Sequence, residues 1–235
     1  LNSLGLQNNI IVMLDVYVMG MGALQDVLEQ TKRYGFATHG HRAGFAAANR
    51  GNYGVNFQIY EKFYRLLGID QMHIGTGVGK MEGSPVTIKR LHDIADQHKL
   101  QEKFYLGSLD MEFGSHIKPM LSIASGGLDA TRMDALITLH GKDTNFQAGA
   151  GVHGHVGGTR KGAMSLRQSV DAFMEGIPAP VYAKTHPELA QALKQWGYFD
   201  PKKVVWELAF EKKNAKKLTS FALKKGRRGM ELASE

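Results

Sequence analysis

In the stretch THGHRAG, His39 and His41 stand two residues apart and Arg42 follows directly. That spacing puts both imidazoles on one face of an extended segment. A neutral imidazole can move protons near pH 7, and a guanidinium can hold a phosphate or carboxylate with two parallel hydrogen bonds. One isolated histidine is more often a satisfied structural residue, but His73, in QMHIGT, adds a third imidazole at the end of the next apolar run. Just beyond it, HIGTGVGKMEGSP sets three glycines in five residues ahead of a single lysine, Lys80. A loop hinged in that way lets Lys80 swing over a bound anion, exclude water and stabilise negative charge as it develops. Glu82 is available as its ion-pair partner.

Two further segments, SGGLD and GAGVHGH, bring Ser125, Gly126, Gly127, Gly149, Ala150 and Gly151 to the ends of the last two apolar runs. Residues this small let backbone N–H groups approach an anion closely. Either segment alone reads equally well as a tight turn. Their succession favours a phosphate cradle, because the loops after the last two strands of a (β/α)8 barrel commonly serve as one. The HxH pair with a third histidine also admits a metal centre. Metal-dependent hydrolase barrels want that pair on the first strand and an aspartate at the end of the last. Here the last run ends QAGAG, without a carboxylate, so the spacing favours phosphate and proton chemistry.

The elements that position these residues alternate as β-like runs and helix-period segments, the pattern of βα units on a parallel sheet. Strands are expected at Ile10 to Val16, Gly35 to His41, Gln71 to Thr76, Met120 to Gly127 and Asn145 to Gly151. Helices are expected to begin near Gly22, Val55, Pro85, Asp129 and Arg160, with another from His186 to Gly197. Each strand ends in polar or glycine-rich sequence where the chain passes into a helix, and parallel α/β proteins place ligand sites there. Five units cannot close an eight-stranded barrel. The chain is therefore either an open sheet or the later part of a barrel.

Composition limits the alternatives. With 43% hydrophobic residues the chain suits a globular fold rather than a disordered or fibrous one. It has no cysteine, hence no disulfide framework or thiolate chemistry, which suits a cytoplasmic protein. No apolar run approaches the ~18 residues of a membrane span, and LNSLGLQNNI lacks the marks of a signal peptide. The chain does not begin with Met, which suggests a processed or incomplete polypeptide. Of the net charge of +7, the segment from Asp200 to Glu235 carries ten Lys or Arg against five Asp or Glu. The body is nearly neutral, and the tail reads as a surface helix with a solvated basic face. Neither a nucleic-acid nor a membrane partner is expected.

Taken together, HGHRAG, HIGTGVGKMEG, ASGGLDATRMDAL and FQAGAGVHGHVGGTRKGAMSLRQS resemble the large chain of ribulose-bisphosphate carboxylase/oxygenase, RuBisCO, in order and approximate spacing. YAKTHPELAQALKQWG is similar to the helix that follows in that family. The likeness runs from about Ile10 to Gly197 and is closest to archaeal and bacterial forms without small subunits. It implies α/β architecture, namely the later portion, about five βα units, of a TIM (β/α)8 barrel followed by C-terminal helices. Residues 1–199 would belong to the barrel and residues 200–235 form a basic helical tail.

The resemblance also implies roles. His41 is similar to the family's active-site histidine, Arg42 to the arginine that grips one substrate phosphate, and His73 to the histidine that helps bind it. Lys80 is similar to the mobile-loop lysine that stabilises the carboxylated intermediate. Ser125 matches the substrate-binding serine, with Gly126 and Gly127 beside it. Gly149 and Ala150 match the backbone donors of a second phosphate site; many relatives have glycine at the latter position, and a methyl group narrows the approach. The implied reaction is Mg²⁺-dependent addition of CO2 to ribulose 1,5-bisphosphate, giving two 3-phosphoglycerates, with O2 consumed in a side reaction. The carbamylated lysine and Asp-Glu pair that hold Mg²⁺ in the family are expected upstream of this chain, on an N-terminal half supplied by the same or another polypeptide. A homodimer or a higher assembly of dimers is implied. Two alternatives stay open: a RuBisCO-like enolase or isomerase of sulfur metabolism, and a non-catalytic half-barrel assembly partner.

Overall fold

The computed structural model describes residues 5, 9–49, 54–79, 83–100, 111–210 and 213. In chain order the strands are β1 Ile11–Asp15, β2 Ala37–His41, β3 Gln71–His73, β4 Lys99–Leu100, β5 Met111–Glu112, β6 Leu121–Ser125 and β7 Asn145–Gln147. The helices are α1 Val16–Met19, α2 Met21–Arg33, α3 Phe45–Asn49, α4 Phe57–Leu67, α5 Pro85–Asp96, α6 Met133–His140, α7 Ala150–His153, α8 Thr159–Met174, α9 Ala179–Tyr182 and α10 Pro187–Trp196. A 3₁₀ turn, Ala130–Arg132, leads into α6. A further helical stretch covers residues 202–210, and the rest of the basic tail, Lys213 apart, lies outside the described residues.

Five strands make one sheet in the order β1-β2-β3-β6-β7, and every adjacent pair is parallel. Strands added in chain order, each joined to the next through a helix, are the construction of a (β/α)8 barrel. The strand positions facing the helices are apolar or small. Leu14, Thr38, Met72, Ile74, Ser122 and Ala124 are all buried, and the core continues through Leu24 and Leu28 of α2, Tyr64 of α4, Ile88 of α5 and Leu136 of α6. The alternate positions face away from the helices. Ile11 and Met13 are half exposed there, at 51% and 52%. A smaller alanine-rich core, Ala130, Ala179, Ala183, Leu189 and Ala192, fixes α9 and α10 against the 3₁₀ turn.

Local chemistry explains the helix starts. Ser84 caps α5 by accepting from the Thr87 N–H at 3.2 Å, and Pro85 occupies the first turn, where its missing N–H costs nothing. Asn56 caps α4 by accepting from the Gln58 N–H at 3.0 Å. Gly68 closes that helix in the left-handed region, with φ of 86°. All five expected sheet strands are present. β3 and β6 are shorter than expected at their carboxyl ends because Gly75, Gly126 and Gly127 adopt positive φ and turn the chain out of the sheet, whereas β2 ends at His41 as expected. The short helices α1, α3, α7 and α9 and the antiparallel β4–β5 pair were not expected, since elements of two to five residues are too short to show a period.

Candidate active site

The register of the parallel sheet sets the site. Asp15 of β1 lies opposite His41 of β2, His39 opposite Gln71 of β3, His73 opposite Ile123 of β6, and Ser125 opposite Gln147 of β7. Side chains at paired positions of a parallel sheet point the same way. Asp15, His39, His41, His73, Ser125 and Gln147 therefore share the face away from the helices, near the carboxyl ends of the strands. The expected grouping of His39, His41, His73 and Ser125 is present.

The contacts are specific. The Asp15 carboxylate accepts from His41 Nδ1, leaving Nε2 outside that contact. The rings of His41 and His73 stand edge to face with centroids 5.2 Å apart. His73 is held on three sides: Nδ1 lies 2.6 Å from Ser125 Oγ, Nε2 lies 2.5 Å from His39 Nε2, and Gln147 bonds the ring as well. Burial, the neighbouring rings of His39 and His41 and the charge of Arg42 push the pKa of His73 down to about 3. Burial also lowers that of His39. His73 is thus a neutral ring with fixed hydrogen bonds at ordinary pH.

Arg42 takes the opposite face, as strand alternation requires. The residue is 7% exposed, with its guanidinium carbon 4.1 Å from the centre of the Phe45 ring and 5.0 Å from that of Phe57. Gly75, at φ of 95°, lets it approach the next strand's loop, since a Cβ there would stand 2.6 Å from Arg42 Nη2. Arg42 also lines a cavity of about 350 Å³ with Asn49, Asn56, Gly83 and Thr87. Behind it, Glu61 of α4 is fully buried, and neither carboxylate oxygen has a hydrogen-bond partner among the described residues. Burial raises the pKa of Glu61 well above the carboxylate range, against the charges of Arg42, Arg90 and Arg65. Burial lowers that of Arg42 to about 10, and Glu61 opposes the shift.

The glycine-rich loop is anchored at its base. Thr76 Oγ1 accepts from the Gly79 N–H at 2.8 Å, Arg132 Nη1 donates to the Val78 carbonyl at 2.7 Å, and His140 Nε2 lies 3.3 Å from the Thr76 carbonyl. A Cβ on Gly79 would stand 2.4 Å from the Gly126 carbonyl, so the loop leaves the sheet beside Ser125 and Gly126. Lys80 and Glu82 lie outside the described residues. Gly126 and Gly127 turn at φ of 109° and 70°, and Gly149 precedes α7, which begins at Ala150.

Gly151 packs that second loop onto the first. A Cβ there would fall 2.1 Å from the Leu128 carbonyl and 2.7 Å from Asp129 Cα, both backbone atoms that cannot swing aside. Gly151→Ala is expected to cost about 3 kcal/mol of stability and to move Gly149 and Ala150, with denaturant unfolding and phosphate affinity as the two measurements.

Acid should weaken the fold through two histidines. Burial holds the pKa of His140 at about 4, as that of His73 is held at about 3, against an ordinary value of 6.5. Between those limits the unfolded chain takes up protons that the folded chain refuses, so stability falls as pH drops from 6.5 toward 4. Each such histidine contributes a slope of up to ~1.4 kcal/mol per pH unit. Thermal unfolding across this range should show the slope, and His140→Gln should flatten it.

Sequence reasoning missed Asp15 and Gln147. Only the polar strand ends LDVY and FQAG signalled them, and parallel register is what joins them to His41 and His73. Among the described residues no group of three or more His, Cys, Asp or Glu could hold a metal ion. Mg²⁺ prefers oxygen ligands, and the histidine cluster offers nitrogen. The described residues therefore do not fit a Mg²⁺ site.

Consecutive βα units with polar chemistry gathered at the strands' carboxyl ends define the barrel class of α/β enzymes. Within that class the chain belongs to the RuBisCO large-chain family: residues 3–196 match the model of the ribulose bisphosphate carboxylase large chain, catalytic domain. Ribulose bisphosphate carboxylase of Pyrococcus furiosus is 42% identical over 192 residues, covering 81% of this chain and 42% of that protein. The Thermococcus kodakarensis protein of the same name is 41% identical over 204 residues, covering 86% and 45%. A crystal structure of archaeal RuBisCO matches with a TM-score of 0.74 at 39% identity, over 81% of this chain and 44% of that one. A dimeric archaeal RuBisCO from Hyperthermus butylicus matches with a TM-score of 0.72 at 36% identity, over 80% and 44%. The chain thus spans less than half the length of the relatives it matches. The fold is the later portion of the family's TIM-barrel domain.

Proposed function

We propose that this chain carries the phosphate-gripping and proton-handling part of a ribulose 1,5-bisphosphate carboxylase. The observation that supports it most is the continuous row from Asp15 through His41 and His73 to Ser125, with Arg42 close enough to depress the pKa of His73. Arg42 and His73 bind one phosphate, and Ser125, with Gly126 and Gly127, holds the sugar backbone. Backbone N–H groups at Gly149 and Ala150 take the second phosphate. His41, oriented by Asp15, exchanges a proton at Nε2. Lys80 meets the carboxylate formed when CO2 adds, and O2 competes in the same position. Mg²⁺, which the family likeness implies, needs oxygen ligands that the described residues do not supply, so no step is assigned to it here.

Residues 1–199 form the barrel portion in this reading, with 200–235 a basic tail. The assembly is a homodimer or a higher assembly of dimers, as the dimeric and octameric descriptions of the solved relatives suggest. No helix among the described residues is long and apolar enough to cross a membrane, and the reading places the protein in the cytoplasm. The half-exposed Ile11 and Met13 on the open face favour a second reading, in which the chain docks on another polypeptide that covers them.

Labelled CO2 separates the possibilities. Supplied with ribulose 1,5-bisphosphate, the polypeptide as its source produces it should place label in 3-phosphoglycerate. Conversion of a substrate without CO2 uptake would select the isomerase. Label that appears only after a second chain is added would select the docking reading.

A further inference from the structure

A second cavity, of about 480 Å³, lies at the other end of the strands, lined by Lys32, Arg65, Asp70, His116, Lys118 and Pro119 among others. Asp70 directly precedes β3 and Pro119 lies just before β6; the Leu121 N–H donates to the Asp70 carbonyl at 2.8 Å, which ties the two strand beginnings together. This is the amino end of the sheet, away from His41 and His73.

Among the described lining residues, cationic donors outnumber carboxylates. Arg65 is 1% exposed and rigidly held: Nε donates to the Lys118 carbonyl at 3.1 Å, and Nη1 to the carbonyls of Ile94 at 2.6 Å and Gln97 at 2.7 Å. The Phe113 ring covers its face, 4.0 Å from the guanidinium carbon. Its remaining nitrogen, Nη2, is buried without a hydrogen-bond partner among the described residues. Lys32 Nζ donates to the Leu67 carbonyl at 3.1 Å, and Gly68 leaves room for it. Lys118 and His116 are exposed at the rim. Asp70 is the one carboxylate among the described lining residues, and its Oδ2 already accepts from Thr38 N–H and Oγ1, both at 2.8 Å.

One rigidly held guanidinium with two exposed lysines beside it, around a concavity whose described carboxylate is largely occupied, matches a ligand that is all acceptor, and charge-assisted hydrogen bonds to an oxyanion are the strong form of that match. We propose that this cavity binds an oxyanion of the phosphate or sulfate type, free or carried on an ester, between Lys32, Arg65 and Lys118. Nothing in it depends on the chemistry assigned to the carboxyl ends of the strands.

Two measurements test it on the polypeptide as its source produces it. Crystals soaked in selenate should show an anomalous peak between Lys32, Arg65 and Lys118. In solution, NMR of the His116 imidazole should report binding when inorganic phosphate or ribose 5-phosphate is added. Lys118→Glu and Lys32→Glu, both exposed substitutions, should each weaken that response about tenfold, the equivalent of one charge-assisted contact. Ser125→Ala, at the other end of the strands, should leave it unchanged, which separates failure here from failure there. Equal responses to the two ligands identify the phosphate group itself as what is recognised; a response to one alone assigns the source. A selenate peak with no response in solution means an adventitious ion only and overturns the proposal, as does the absence of both.

Discussion

Arg42→Ala should weaken ribulose bisphosphate binding by about a hundredfold, the equivalent of roughly 3 kcal/mol for truncating one partner of a buried charged contact. The guanidinium is preorganised: it is packed against the rings of Phe45 and Phe57, and Gly75 leaves it room beside the next loop. Arg42→Lys should recover little, because an ammonium can neither fork to a phosphate nor pack as a plane against an aromatic ring. The substitution also strips Glu61 of a counter-charge, so Arg42→Ala should lower stability as well. Adding Glu61→Gln should restore part of the stability and none of the affinity. Calorimetric titration beside thermal unfolding of the single and double variants separates the two effects.

Lys80→Ala should cost about three orders of magnitude in carboxylation, within the range seen when a donor to developing negative charge is removed, while changing bisphosphate affinity far less. The difference in sensitivity follows from where the loop begins. Hydrogen bonds from Gly79 to Thr76 and from Arg132 to Val78 fix its base, and Gly79 leaves the sheet against the Gly126 carbonyl. A cation carried on such a loop meets charge that appears only as CO2 adds, so its loss falls on turnover rather than on substrate binding. Steady-state carboxylation together with direct binding of the bisphosphate checks this. Equal losses in both would place Lys80 among the ground-state phosphate ligands.

The sheet was legible in the sequence because each strand is an apolar run stopped by glycine or polar residues, and α5 and α10 announce themselves with a proline at the first turn. His39, His41, His73 and Ser125 were legible for the same reason, being placed at strand ends by type and spacing. Three things were not. Parallel register, which no local pattern encodes, pairs Asp15 with His41 and carries Gln147 to His73. Strand alternation turns Arg42 toward the helices, where it meets Glu61, a residue that looks in the sequence like an ordinary surface position of an amphipathic helix. The donor-rich cavity at the strands' amino ends joins residues of α2, α4 and the segment before β6, and only folding brings Lys32, Arg65 and Lys118 together.

The most direct test of the central claim is the position of phosphorus atoms in a crystal structure of the polypeptide, as its source produces it, with ribulose 1,5-bisphosphate bound. One phosphate should lie against Arg42 and His73, and the other against the backbone N–H groups of Gly149 and Ala150, with the sugar chain passing Ser125. A bisphosphate bound elsewhere on the chain, or one whose phosphates touch neither Arg42 nor the loop after β7, would contradict it.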